Sequence, residues 1–406
     1  MKVLYRAQWL ATMADHKPLI ENGGVVCENG LIIAAGEVAD LAVYDKVIEC
    51  DGILTPGLIN AHVHLELSHL AELGWEDDTR KRFADIVEWI RKLISIRNLE
   101  WSEDVIKTAS CQAAAALYDS GCIAAADIGN LLESYLYACN ARTDTRFFLE
   151  LIGLSREAQE KAFQQMYALT DEINCTAHAP YSASPELIIG LKKRAIARRH
   201  IYPIHVAESL EETEFLNDGS GSIRRFLEDV GAWDGTFVPP GCSPVRYLEK
   251  LGILDKGTLC VHGVQVGQQE IEILAKYQTR VCLCPASNRY LGVGKAPATK
   301  YIDAGILPAL GTDSLASNQE LSIWREMRML KEDHSGLDPQ IIFAMATQGG
   351  AYSMGLDRIY GSLEAGKNAA LLCVQSPGLR RHDVFEFLVS AAETAQVKWL
   401  EGRTAP

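Results

Sequence analysis

A (β/α)8 barrel with a small β-domain formed from both chain ends is the fold this sequence predicts, and three observations carry it. Between Ile53 and Gly350, short apolar runs alternate with stretches of helical period, the pattern of a parallel sheet wound by helices; eight such units in about 300 residues fit a barrel. Outside that span, residues 1–52 and 355–406 return to β-character, which predicts a composite sandwich-like domain beside a catalytic domain at 53–354. Several of the central runs also close on His or Asp, and strand C-termini are where a barrel carries its chemistry.

In the first segment, Val25–Glu28 and Leu31–Ala34 flank Asn29-Gly30, a strong hairpin signal. The barrel strands are expected at Ile53–His64, Cys122–Asp127, Phe147–Ile152, Asn174–His178, Ile201–Val206, Thr258–His262, Val281–Cys284 and Ile306–Leu310. Between them Phe83, Ile86, Val87, Ile90, Leu93 and Ile94 make one helical face. Ser184-Pro185-Glu186 opens another helix, with Ser as N-cap and Pro in the first turn. Asn318–Glu332 reads as a third. Ala369–Val374 and Val397–Leu400 read as late strands that rejoin the N-terminal segment. A doubly wound sheet is the competing fold, but no GxGxxG opens a helix after a first strand. Leu291–Pro297, LGVGKAP, lacks the spacing and the Ser/Thr of a phosphate loop and reads as a glycine-rich connection.

Composition limits the function classes. The 406 residues are 48% hydrophobic and 23% charged, a folded chain with ample core. A net charge of −14 and the lack of a basic, aromatic-interleaved run argue against nucleic acid as a partner. No apolar run reaches membrane-spanning length, and the N-terminus lacks the apolar core of a signal peptide. The 11 cysteines include no CxxC pair, so reduced, mostly buried thiols in a cytoplasmic protein are expected. The expected partner is a small molecule, with a homodimer as the default assembly.

The strand ends supply the chemistry. His62 and His64 stand two apart, so both imidazoles share one face of a strand. An isolated HxH is more often packed or solvated than ligating. Here His178 (HAPYS), His205 with Glu208 (HVAES), His262 (VHGVQV) and Asp313 (LGTDSLASN) stand at the ends of later strands. A buried His usually serves a backbone partner, and an Asp before Ser often caps a helix. Six such residues converging on one barrel mouth are better explained by a metal such as zinc.

The strings PGLINAHVHLE, HAPYS, HVAES, CPASNRYLGVGKAP, LGTDSLASN and GSLEAGKNAALL resemble the amidohydrolase superfamily, in its cytosine/adenosine-type deaminase and chlorohydrolase branch. They span Pro56 to Leu372. Two departures stand out: Cys284-Pro285 replaces the usual Asn-Pro, and the common Asp near Ala370 is missing. The resemblance implies that His62, His64, His205 and Asp313 hold one divalent metal ion, zinc before iron. It also implies that Glu208 shuttles protons and that His262 orients the attacking water, with Asp313 assisting as both ligand and catalytic group. Two-metal members of the superfamily need a bridging Lys near the third or fourth strand end. The chain offers Glu150 and His178 there, and Lys161 belongs to a helical stretch, so one ion is expected, with Glu150 as the alternative bridge.

The implied reaction adds water to an aminopurine C–NH2 carbon and releases ammonia. Trp89 and Arg97, on the long excursion after His64, are expected to touch substrate, together with His178 and Asn288; Ser287 is expected to shape the pocket. HVHLELS, FADIVEWIRKLI and GCSPVRYLEKLGIL look most like aminodeoxyfutalosine deaminases, which implies 6-amino-6-deoxyfutalosine as substrate and a place in menaquinone biosynthesis. The alternatives are deaminases of methylthioadenosine/S-adenosylhomocysteine, guanine or cytosine, and, more distantly, a triazine dechlorinase. A catalytically dead barrel kept as an assembly scaffold is the non-enzymatic alternative, one with no reason to keep the whole constellation.

Overall fold

The structure is a computed structural model that describes all residues except 42, 76–82, 100, 139–141, 377, 393–395 and 402–406. Its strands are β1 (Val3–Ala11), β2 (Leu19–Glu28), β3 (Leu31–Glu37), β4 (Lys46–Pro56), β5 (Leu58–Val63), β6 (Cys122–Gly129), β7 (Asp144–Leu151), β8 (Asn174–Ala177), β9 (Tyr202–Val206), β10 (Thr258–His262), β11 (Arg280–Leu283), β12 (Ala309–Leu310), β13 (Leu371–Val374) and β14 (Val397–Glu401). Strands β5 to β12 are the parallel strands of the barrel, a fold of the TIM type.

They form two four-stranded sheets, β5-β6-β7-β8 and β9-β10-β11-β12, which meet along two seams. At one seam the N–H groups of Thr312 and Asp313 donate to the His62 carbonyl at 3.0 and 3.1 Å. At the other, the His205 N–H donates to the His178 carbonyl at 3.0 Å. The buried Asn60 staples the first seam: its amide donates to Thr312 Oγ1 at 2.7 Å, and its oxygen accepts from Thr312 N at 3.2 Å. Both seams therefore run through residues flagged for chemistry.

The expected first strand, Ile53–His64, is two strands. Ile53–Pro56 belongs to β4, paired with β1 and β13, and only Leu58–Val63 enters the barrel. Pro56 has no N–H to continue a ladder. Gly57 then passes so close to Ile123 and Trp399 that a Cβ would meet their side chains at 2.9 and 3.0 Å. Helices expected from sequence form with their caps. Asp85 accepts from Glu88 N ahead of helix Ile86–Arg97, and Ser184 accepts from Leu187 N ahead of Pro185–Arg198. The third starts late, at Ile323, because the Asn318 side chain bonds Thr312 O and Glu326 instead of continuing a helix.

Both chain ends contribute to one six-stranded sheet, β14-β13-β4-β1-β2-β3, a single layer where a sandwich has two. Asn29 and Gly30 both take positive φ (51° and 75°), which the two-residue β2–β3 turn requires. Helix Val384–Ser390 leaves this sheet to pack on barrel helices Ile323–Asp333 and Pro339–Ala344. Cys50 and Cys373 are joined as a disulfide, Cα–Cα 5.6 Å, which departs from the expectation of reduced thiols throughout. Their neighbouring strands β4 and β13 bring them together, whereas Cys27, Cys122, Cys175, Cys260, Cys282 and Cys284 are free and buried. Among the described residues no helix is long and apolar enough to cross a membrane.

Candidate active site

Strand ends place the site, and close backbone packing fixes it. His62 and His64 flank the end of β5. Gly311 lies directly behind His62, so a Cβ there would stand 2.8 Å from His62 Cβ and 2.8 Å from Cys282 Sγ. His262, the last residue of β10, and Asp313, three residues beyond β12, have φ of 73° and 58°, a left-handed conformation that is costly for residues with side chains and clusters at functional sites.

These residues converge. Donor atoms of His62, His64 and His205 all lie within 4.8 Å of one another, with the His62 and His205 Nε2 atoms 3.1 Å apart. Asp313 Oδ1 sits 3.7 Å from His62 Nε2 and 3.5 Å from His64 Nε2. Its other oxygen, Oδ2, accepts from the hydroxyls of Ser287 (2.6 Å) and Ser317 (2.9 Å), which aims Oδ1 at the imidazoles. Two imidazole nitrogens at 3.1 Å with no proton needed between them suit a shared divalent cation. Three imidazoles and a carboxylate are a set that zinc and iron both accept.

Electrostatics prepare the ligands. Burial, reinforced by the His62 charge, pulls His64 down to about 4; burial also pulls His262 to about 4 against the pull of Asp313. His205 falls well below the usual imidazole range for the same first reason, with four neighbouring imidazoles adding to it. These rings are therefore neutral at physiological pH, the form that ligates. Burial alone would raise Asp313, but the close imidazoles of His62, His64 and His262 hold it well below the usual carboxylate range.

Glu208 behaves oppositely. Burial, then the negative charges of Asp313, Glu212 and Glu211, push its carboxyl well above the usual value, the direction expected of a group that exchanges protons in a reaction. Its Oε1 stands 3.6 Å from His262 Nε2. The buried Glu212 accepts the Glu208 backbone N–H at 2.9 Å and fixes the turn that presents the carboxyl.

The residues expected to touch substrate are placed differently. Asn288 Oδ1 accepts from His262 Nδ1 at 3.0 Å, which leaves the lone pair on Nε2; Asn288 sets a tautomer. The Trp89 indole N–H donates to Ala316 O at 3.2 Å, tying helix Ile86–Arg97 to the loop that carries Asp313. Arg97 is committed to Asn130 Oδ1 (2.8 Å) and Glu66 Oε1 (3.1 Å), so its guanidinium is already paired. His178 lies beside the cluster, its ring centroid 4.9 Å from that of His205 and its Nδ1 2.7 Å from Ser182 Oγ. Sequence reading missed Asn60, Glu66, Asn130 and Ser317. Ser317, in the quoted LASN string, was within reach; the other three matter only through partners on distant strands.

Comparison with known proteins agrees with this architecture. A model described as the amidohydrolase family matches residues 53–397. The 5-methylthioadenosine/S-adenosylhomocysteine deaminase of Bacillus cereus is 28% identical, covering 97% of this chain and 90% of that protein. The enzyme of the same name from Haloarcula marismortui is 26% identical, covering 91% and 84%. Among solved structures, aminofutalosine deaminase of Helicobacter pylori with methylthio-coformycin superposes with a TM-score of 0.81 at 21% identity, covering 97% of this chain and 99% of that one. An adenosine deaminase from Xanthomonas campestris with bound zinc gives 0.78 at 22%, covering 99% and 93%. At these identities the structural likeness speaks for the fold.

Proposed function

The chain belongs to the amidohydrolase family, and from that premise we propose that it is a metal-dependent hydrolytic deaminase of aminopurine nucleosides. The observation that carries the reading is the buried Glu208 carboxyl beside His262, at the edge of a cluster of three imidazoles and a carboxylate. His62, His64, His205 and Asp313 would hold one divalent ion, zinc before iron. Bound there, it would acidify water toward neutrality and so supply a nucleophile.

The chain's own groups then divide the work. Glu208 takes a proton from the attacking water and passes it to the purine ring nitrogen next to C6, then takes the second proton from the hydroxyl added at C6 and gives it to the leaving amino group. His262, with its Nδ1 proton held by Asn288, turns Nε2 toward the reacting centre and orients the water. Asp313 accepts a hydrogen bond from that water. His178, its ring 4.9 Å from that of His205, is the side chain beside the cluster we assign to substrate contact. The C6–N bond breaks, a C6 carbonyl forms, and one ammonia leaves for each water consumed.

The substrate class we propose is a 5′-modified adenosine. Three members have specific support. The Helicobacter pylori enzyme that shares the fold is an aminofutalosine deaminase, which keeps 6-amino-6-deoxyfutalosine in view. The curated relatives named above favour methylthioadenosine or S-adenosylhomocysteine. Arg97, engaged by Glu66 and Asn130, does not by itself favour one of these substrates over another. The test is a panel of adenine nucleosides with varied 5′ groups, read by loss of adenine absorbance and by ammonia. The highest kcat/KM on a 5′-modified adenosine supports the proposal; turnover confined to guanine or cytosine would overturn it.

A further inference from the structure

Behind the ligand cluster lies a second group of titratable side chains that the reaction above does not use. His205 presents Nε2 to His62, while its Nδ1 bonds the His178 carbonyl at 3.1 Å and lies 3.5 Å from Glu150 Oε1. That oxygen of Glu150 is buried and has no hydrogen-bond partner. Its companion Oε2 is held by the Asn130 amide at 3.0 Å, and the same amide donates to the Glu150 main-chain oxygen at 3.0 Å.

The chain of bonds runs on. Asn130 Oδ1 accepts from Arg97 Nη1, and Arg97 Nη2 donates to Glu66 Oε1. Glu66 Oε2 accepts from the backbone N–H groups of Asn130 and Leu131 and from the Ser134 hydroxyl. Gly129 permits this approach, since a Cβ there would come within 2.7 Å of Glu66 Oε2. Glu66 follows His64 by two residues, so the ring of contacts begins and ends on residues of the ligand cluster.

Glu150, His178 and His205 also meet the spacing of a second metal site, but only if His205 serves two ions at once. Its Nδ1 faces a backbone carbonyl at 3.1 Å, the partner of a proton and not of a cation. The arrangement is instead that of a carboxylate behind a ligating imidazole: the His178 carbonyl takes the Nδ1 proton and so sets the tautomer, and the Glu150 carboxylate 3.5 Å away raises ligand basicity.

Resting on the metal reading above, we infer that Glu150 is a positioning residue for His205, and that Asn130 and Arg97 transmit the seating of helix Ile86–Arg97 to it. Removing the carboxylate weakens metal binding while leaving substrate contacts in place.

The experiment measures zinc affinity by chelator competition for wild type, Glu150→Gln, Asn130→Ala and Arg97→Lys, each checked for native circular dichroism. Gln keeps the size of Glu150, so the fold is retained. The expected result is a zinc Kd about 10- to 100-fold weaker for Glu150→Gln, a smaller loss for the other two, and a KM at saturating zinc equal to wild type. Unchanged zinc affinity in Glu150→Gln, or a raised KM with unchanged affinity, would each overturn this inference alone; two zinc ions per wild-type chain would overturn it together with the single-ion reading above. A wild-type chain that binds no divalent metal would overturn the proposed function as well.

Discussion

Asp313 shows how single residues divide labour at this site: one oxygen is anchored by Ser287 and Ser317, and the other faces two imidazoles. Removing both hydroxyls (Ser287→Ala with Ser317→Ala) frees the carboxylate to rotate, and we expect zinc affinity to fall at least about tenfold by chelator competition. Glu208→Gln removes the proton carrier without touching the ligand set. Metal content should stay at one per chain while kcat drops by about 10²- to 10⁴-fold in a stopped ammonia assay. Residues whose chemistry is carried by type and strand-end position, such as His62, His205 and Asp313, were legible in the sequence. Asn60 and Glu150 act through atoms on other strands and Ser317 through Asp313 four positions before it, while the pairing of Arg97 depends on Glu66, thirty-one positions away.

Among the elements, the two barrel seams do the positioning. The β5–β12 seam leaves no space at Gly311, so Gly311→Ala should push His62 and cost about 1–3 kcal/mol, seen as a lower denaturation midpoint together with weakened zinc binding. Helix Ile323–Asp333 clamps two site loops through the buried Glu326, which accepts from Ala286 N at 2.9 Å and from Asn318 at 2.8 Å. Burial raises that carboxyl to about 7 against these donors. Its folded pKa therefore exceeds the ordinary 4.5, and stability contributed by the protonated form is full below 4.5 and lost as pH rises through 7. Glu326→Gln should flatten the fall of melting temperature between pH 5 and 8, whatever its offset. Strand alternation with helices was readable from apolar periodicity. The break at Gly57 was not, because the apolar run Ile53–His64 continues while its pairing partners change sheets.

For the whole molecule, the barrel and the terminal sheet are built from interleaved sequence. We propose that residues 1–52 with 355–406 form one unit and 53–354 the other; β4, which crosses residue 53 and ends at Pro56, is the link between them. The Cys50–Cys373 bond closes a loop of 323 residues across that unit. On the chain-entropy account such a closure is worth about 6 kcal/mol. Reductant should therefore lower the melting temperature of wild type by several degrees and leave Cys373→Ser unmoved; equal insensitivity in both would mean the thiols are not joined. Function in this molecule rests on imidazoles and a carboxylate gathering one ion next to the buried Glu208 carboxyl. Its most direct test is ammonia release from 5′-modified adenosines by the protein as purified, after chelation, and after zinc is returned. We predict one ammonia per nucleoside, loss on chelation and recovery with zinc. Release that survives complete metal removal, or none from any aminopurine at full zinc occupancy, would contradict it.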